Sequence, residues 1–110
     1  MTDGKDLEQQ FLSCMPLFIA LGDEVRLTIL DALARAFREG RTDGLNVNEI
    51  TRQTSLSRPA ISHHLKILKE SGLVEIRQSG TSNYYRPTLL GVTRQLMELG
   101  FLVQDFFREE

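Results

Sequence analysis

The sequence predicts a mostly α-helical fold with one small β-hairpin, a winged helix-turn-helix with helices at both termini. Three observations predict it. A short amphipathic segment, the tight connection Ser55-Leu56-Ser57 and a longer amphipathic segment follow one another, which is the helix-turn-helix order. Two short runs of strand-forming residues, separated by turn formers, come directly after, where a wing belongs. Apolar residues recur at helical spacing near both ends of the chain.

Leu7, Phe11, Met15 and Phe18 are spaced 4, 4 and 3, one face of a first helix that is bent or broken near Pro16. Gly22-Asp23 punctuates, and the Asp23 carboxylate can accept from the free N–H groups of the next turn. Val25, Ile29, Leu33 and Ala36 form one apolar row of the following helix. Leu27, Leu30, Ala34 and Phe37 form an adjacent row, giving a wide stripe suited to the centre of a core. Gly40 is the expected left-handed cap, and 41–44 a polar loop. A short helix follows over about 47–54, where Asn46 and Glu49 have capping-box spacing and Asn48 is an alternative cap. Ser57 caps the next helix, Pro59 sits harmlessly in its first turn, and Gly72 stops it after Ser71. Leu73–Gln78 and Tyr84–Pro87 are the expected strands, joined by the loop 79–83. A last helix runs from Leu89 to about Phe107.

With 110 residues, 41% hydrophobic and 25% charged, the chain is expected to be one globular domain, 1–110. A domain of this size buries only about two-thirds of its unfolded surface, so help from a second subunit is a natural expectation. No run of 18 apolar residues exists to span a membrane. The polar start is unlike the basic start of a signal peptide, and the expected compartment is the cytoplasm. Cys14 is the one cysteine, which excludes an intramolecular disulfide and a cysteine-cluster metal site. No phosphate loop, evident carboxylate pair or nucleophile with a nearby base marks an enzyme, and no cofactor is implied.

The net charge of −2 conceals a pattern. Residues 46–88 carry six basic and three acidic side chains, whereas 1–45 carry five and eight, and 89–110 two and four. A basic middle between acidic ends is the footprint of a polyanionic partner. Within 58–71, Ile61, Leu65 and Leu68 share a narrow arc that faces the core. Pro59, Ser62, His63, Lys66 and Glu70 lie opposite; Arg58 and Lys69 lie on one flank, His64 on the other near the core boundary. Short polar side chains at the N-terminal end let a backbone approach base edges in a major groove, and cations meet phosphates. His63 and His64 are adjacent and diverge by 100°, with no Cys, Asp or third His at helical spacing, so they do not make a metal site.

Leu21-Gly22-Asp23-Glu24-Val25-Arg26-Leu27-Thr28-Ile29-Leu30 resembles the entry helix of the ArsR-type (arsenical-resistance repressor) winged helix-turn-helix regulators. The stretch from Leu56 to Val74 resembles their recognition helix and its exit, most specifically at Ile61-Ser62-His63-His64-Leu65, and the similarity covers about residues 16–88. The resemblance implies a homodimeric repressor that leaves its double-stranded DNA operator when an effector binds. By position it implies that Arg58, Ser62 and His63 contact bases, while Ser57, His64 and Lys66 contact the backbone or base rim. Pro59 and Lys69 complete the helix face, and Arg77 and Arg86 on the wing strands stand in for a cationic wing tip.

The sequence departs from the family in three places. The helix before the recognition helix reads Asn48-Glu49-Ile50-Thr51-Arg52-Gln53-Thr54, without the cysteines of the metal-sensing members. The closing helix has no histidine for a zinc site. The wing tip reads Gly80-Thr81-Ser82, where arginine often follows the glycine. No metal site is therefore expected, and the effector is an unidentified small molecule or a redox signal.

In the last helix Val92, Leu96, Leu99, Val103 and Phe106 form a seam, and Leu90, Met97 and Phe101 lie nearly opposite. A helix with two apolar faces needs more than its own domain to cover it. With Phe11 and Met15 of the first helix, Leu90, Met97 and Phe101 are the expected dimer interface, so that 1–22 and 89–110 dimerise, 46–72 form the helix-turn-helix and 73–88 the wing. Cys14, near the apolar face of the first helix, is a small buried hydrophobe or a redox switch; the second role needs exposure and a lowered pKa. The expected function is sequence-specific transcriptional regulation. The alternative is a winged-helix protein-interaction module without specific DNA binding.

Overall fold

The computed structural model describes residues 4–108, with the side chain of Lys5 excepted; the outermost residues of the two expected dimerisation segments, 1–3 and 109–110, lie outside it. Among the described residues six helices and one hairpin follow in order: α1 (Gly4–Ser13), α2 (Met15–Leu21), α3 (Glu24–Arg38), α4 (Val47–Thr54), α5 (Arg58–Glu70), β1 (Val74–Ser79), β2 (Ser82–Pro87) and α6 (Leu89–Phe106). The helix starts follow local chemistry. Asp23 accepts from the Arg26 N–H at 3.0 Å. Asn46 and Glu49 form a reciprocal capping box at 2.9 and 3.1 Å. Ser57 accepts from the Ala60 N–H at 3.3 Å.

Ile29, Leu33, Leu45, Ile50, Ile61, Leu65, Leu68 and Leu73 are all but sealed from solvent and form one core beneath α3, α4 and α5. Removing one such side chain, as in Leu68→Ala, costs about 2–5 kcal/mol. A second, smaller cluster of Leu7, Cys14 and Leu99, flanked by Leu102 and Val103, joins α1 to α6. Gln95 Nε2 donates to the Ser13 carbonyl at 3.1 Å, which ties α6 to the end of α1. The molecule is elongated, 56 × 26 × 22 Å.

Four expectations are corrected. The first helix breaks near Pro16 as expected, at Cys14, but the buried face of α1 and α2 is Leu7, Cys14, Leu17 and Ala20; Phe11, Met15 and Phe18 point outward. In α3, Leu30 is buried, but Leu27 and Phe37 of the same predicted row are exposed, so the core-facing stripe is narrower. The closing seam is buried at Val92 and Leu99 and half-buried at Val103, whereas Leu96 and Phe106 are exposed. The strands extend to Ser79 and Ser82, leaving a two-residue Gly80-Thr81 turn in place of a five-residue loop; Gly80 has φ +63°. Two-residue hairpin turns need positive φ to match the twist of the strands.

The hairpin is anchored by a pairing that alternation did not reveal. Leu45 forms an antiparallel bridge with Tyr85, with N–H···O distances of 2.9 and 2.8 Å. Gly44 precedes it at φ +96°, and a Cβ there would lie 2.2 Å from the Tyr85 carbonyl oxygen. Gly44→Ala is expected to lower the urea unfolding midpoint well beyond Gly72→Ala. Both variants force a side chain into left-handed backbone, which costs about 1–2 kcal/mol, but a Cβ at Gly72 meets nothing within 4 Å. Equal losses would show that the bridge tolerates displacement.

Candidate nucleic-acid interface

The core anchors α5 through Ile61, Leu65 and Leu68, each almost fully buried. Helical geometry then turns the other face outward, and Ser57, Arg58, Pro59, Ser62, His63, Lys66 and Lys69 are exposed. From its N-cap through its second turn α5 thus presents two hydroxyls, two rings and a guanidinium, with two ammonium groups behind them. No ion pair is formed by Lys66 or Lys69 among the described residues. Arg58 donates to Oδ1 of Asn48 on α4, a neutral partner that leaves its charge uncompensated. Asn48 serves this role and not that of a cap.

His64 is half-buried, as its flank position predicted. Its ring lies edge-on to His63, 5.3 Å between centroids and 64° apart. Its Nδ1 is 3.3 Å from Nη1 of Arg26, a buried residue of α3. The guanidinium also donates through Nε to the Ala20 carbonyl (2.8 Å) and through Nη2 to the Ile19 carbonyl (2.9 Å). Sequence reasoning missed Arg26. The signal was present: Arg26, Leu30 and Leu33 are spaced 4 and 3, which puts the arginine on the buried row.

The basic residues around the wing are arranged differently. Arg77 Nη1 donates to the Asp43 carboxylate at 2.6 Å, and Arg86 Nε donates to the Glu75 carboxylate across the strand pair. Both wing arginines, expected to face phosphate, are paired within the protein. Arg41 grips Glu49 with two bonds, 2.6 and 3.0 Å. Tyr85 packs on the core and Tyr84 is half-buried, so neither is fully exposed. Asp43, Arg77, Ser79, Tyr84 and Arg41 line a groove beside the wing of about 310 Å³.

Leu90, Met97 and Phe101 stand out from α6, Leu90 at 81% and Phe101 at 62% exposure, with Phe11 and Met15 exposed on α1 and α2. Cys14 is completely buried, with Gln10 Nε2 at 3.9 Å from its sulfur, and lacks the solvent access that a reactive thiol needs. Among the described residues no three His, Cys, Asp or Glu side chains gather where they could hold a metal ion, and no helix is long and apolar enough to cross a membrane.

The chain is similar to known proteins over this same region. The model of the family described as "Bacterial regulatory protein, arsR family" matches residues 23–75. An uncharacterized HTH-type transcriptional regulator, MJ1325, of Methanocaldococcus jannaschii is 36% identical over 77 residues, covering 70% of this chain and 80% of the relative. The transcriptional repressor SdpR of Bacillus subtilis is 32% identical over 69 residues, covering 63% and 69%. Among solved structures, an ArsR-like transcriptional regulator from Rhodococcus sp. RHA1 superposes with a TM-score of 0.74 at 27% identity, covering 87% of this chain and 84% of that one.

The hydrogen bonds from Arg41 hold the Glu49 carboxyl below its ordinary value of 4.5, helped by the Asn46 N–H and opposed by desolvation. A carboxyl lowered in the folded state stabilises it above the unfolded value, and the effect is lost as pH falls through the folded value. The stability gap between the protein and Glu49→Gln is therefore expected to be full above about pH 5 and to close on acidification below 4.5. Thermal melts at stepped pH measure it; a gap constant down to pH 3 would contradict the ion-paired assignment.

Proposed function

Because the chain belongs to the ArsR family of bacterial regulatory proteins, we propose that it is a sequence-specific DNA-binding transcriptional repressor acting as a homodimer on a pseudo-palindromic operator. The observation that carries the reading is the two-sided construction of α5. Ile61, Leu65 and Leu68 are locked in the core, and the opposite face offers Ser62, His63 and Lys66 to solvent. In this reading Arg58, Ser62 and His63 read base edges in the major groove. Ser57, His64, Lys66 and Lys69 engage the phosphate backbone, where the N-terminus of α5 adds its own attraction. Pro59 sets the helix start and keeps the first turn slim. Arg77 and Arg86, occupied by Asp43 and Glu75, contribute little charge to the wing. The two ends of the chain supply the dimer, whose symmetry sets half-sites about 34 Å apart.

The protein is a regulator and not an enzyme, and it acts in the cytoplasm where its DNA lies. Release answers a non-metal or redox signal. The burial of Cys14 favours a small molecule over a thiol oxidant as that signal.

Fluorescence anisotropy with the duplex upstream of its own gene, a scrambled duplex and two salt concentrations tests the reading. Tight, salt-sensitive binding to the first duplex alone is expected. Ser62→Ala combined with His63→Ala is expected to remove about 1–3 kcal/mol per lost base contact, abolishing discrimination while the dimer persists. Weak, equal binding to both duplexes would favour a winged helix that serves a protein partner. Phe101→Glu is expected to convert a sedimenting dimer into a folded monomer and to cut operator affinity at least tenfold, since one half-site binds without the other. An unchanged dimer would place the interface elsewhere.

A further inference from the structure

We propose that Arg26 is a positioning residue for DNA binding: from inside the protein it fixes which nitrogen of His64 carries the proton. The inference rests on the reading of α5 as the DNA-contacting helix and adds to it a residue with no access to DNA.

A guanidinium has five donors and no acceptor. With Nη1 of Arg26 at 3.3 Å from Nδ1 of His64, the contact is a hydrogen bond only when Nδ1 presents its lone pair. A neutral imidazole carries one ring proton, so it resides on Nε2. The half-buried His64 ring is thereby set to donate from Nε2, which is what a phosphate oxygen accepts. The opposite tautomer would turn a lone pair toward the polyanion and a proton toward Arg26, and both contacts would be lost. The charged groups facing the ring are Arg26 and, behind it, the Asp23 carboxylate, 3.9 Å from Nη1; His63 meets its edge. Arg26 cannot easily move away. It is 8% exposed, and its other two nitrogens, Nη2 and Nε, donate to the Ile19 and Ala20 carbonyls at the end of α2. The guanidinium therefore links α2, and through Cys14 and Gln95 the α1–α6 pair, to the helix proposed to read DNA.

Two measurements test this. Long-range proton–nitrogen NMR correlation on the unmodified protein is expected to show His64 as the Nε2–H tautomer near pH 7.5; an Nδ1–H tautomer, or a mixture of the two, would overturn the proposal without any substitution. The second is a double-mutant cycle on the duplex from upstream of its own gene. Arg26→Lys keeps the charge but cannot reach three acceptors. It is expected to weaken binding by roughly tenfold, the worth of one charge-assisted hydrogen bond. His64→Gln places an amide donor near Nε2 whatever Arg26 does, and in that background Arg26→Lys is expected to change binding less than twofold. An equal loss in both backgrounds would make Arg26 merely structural and overturn the proposal while the DNA reading stands. Failure of the unsubstituted protein to bind the duplex would overturn both together.

Discussion

The arrangement depends on one buried cation. The Arg26 guanidinium is taken out of water, and burial of a charge is tolerated only when each polar group around it is matched. Here the match is assembled from three helices: the carbonyl end of α2, the capped start of α3 and an imidazole of α5. The last carbonyls of a helix have no partner of their own, so the arginine meets a need that α2 creates by stopping at Leu21. Asp23 caps α3 through the Arg26 backbone and lies beside its side chain, and that same backbone bond is the main reason its carboxyl sits below the ordinary carboxylate value. The helix start, the helix end and the orientation of His64 are one structure.

Around that point the molecule divides its apolar material unequally. The large cluster under α3, α4 and α5 has many members sealed from solvent and holds the helix-turn-helix rigidly. The cluster joining α1 and α6 has three buried members, while Leu12, Ile19, Leu90, Met97 and Phe101 remain more than half exposed nearby in the chain. Apolar side chains left this open are what a partner surface covers, and the proposed dimer would cover them. The physical contrast is between a complete inner half that orients α5 and an incomplete outer half made of the chain's two ends.

Charge is distributed with the same division. The basic middle of the chain contains six cations, yet Arg77 and Arg86 are neutralised by carboxylates brought to them by folding. Exposed pairs of this kind add little stability, but they remove positive potential from the wing. Of the four that remain, Arg58, Lys66 and Lys69 lie on α5 and Arg52 on α4. In the proposed reading affinity and specificity therefore fall to the same helix, and the hairpin, pinned by Leu45 and Gly44, serves as a support more than as a second charged finger.

Local chemistry was legible in the sequence wherever it acts over one turn of chain. The caps at Asp23, Asn46 and Ser57, the stop at Gly72, the core arc of Ile61, Leu65 and Leu68 and the outward face of Ser62, His63 and Lys66 all follow from spacing, because helical periodicity links residues three and four apart. Partners far apart in the chain were decided by tertiary structure alone. Arg26 meets His64 across 38 positions, Arg77 meets Asp43 across 34, and Leu45 pairs with Tyr85 across 40. Periodicity carries no information about which elements are brought together, so an arginine on a core row read as one more helix residue and two paired arginines read as free. The same limit explains Phe11, Met15 and Leu27: an apolar row shows that a face wants covering, and only packing decides which row this chain covers itself.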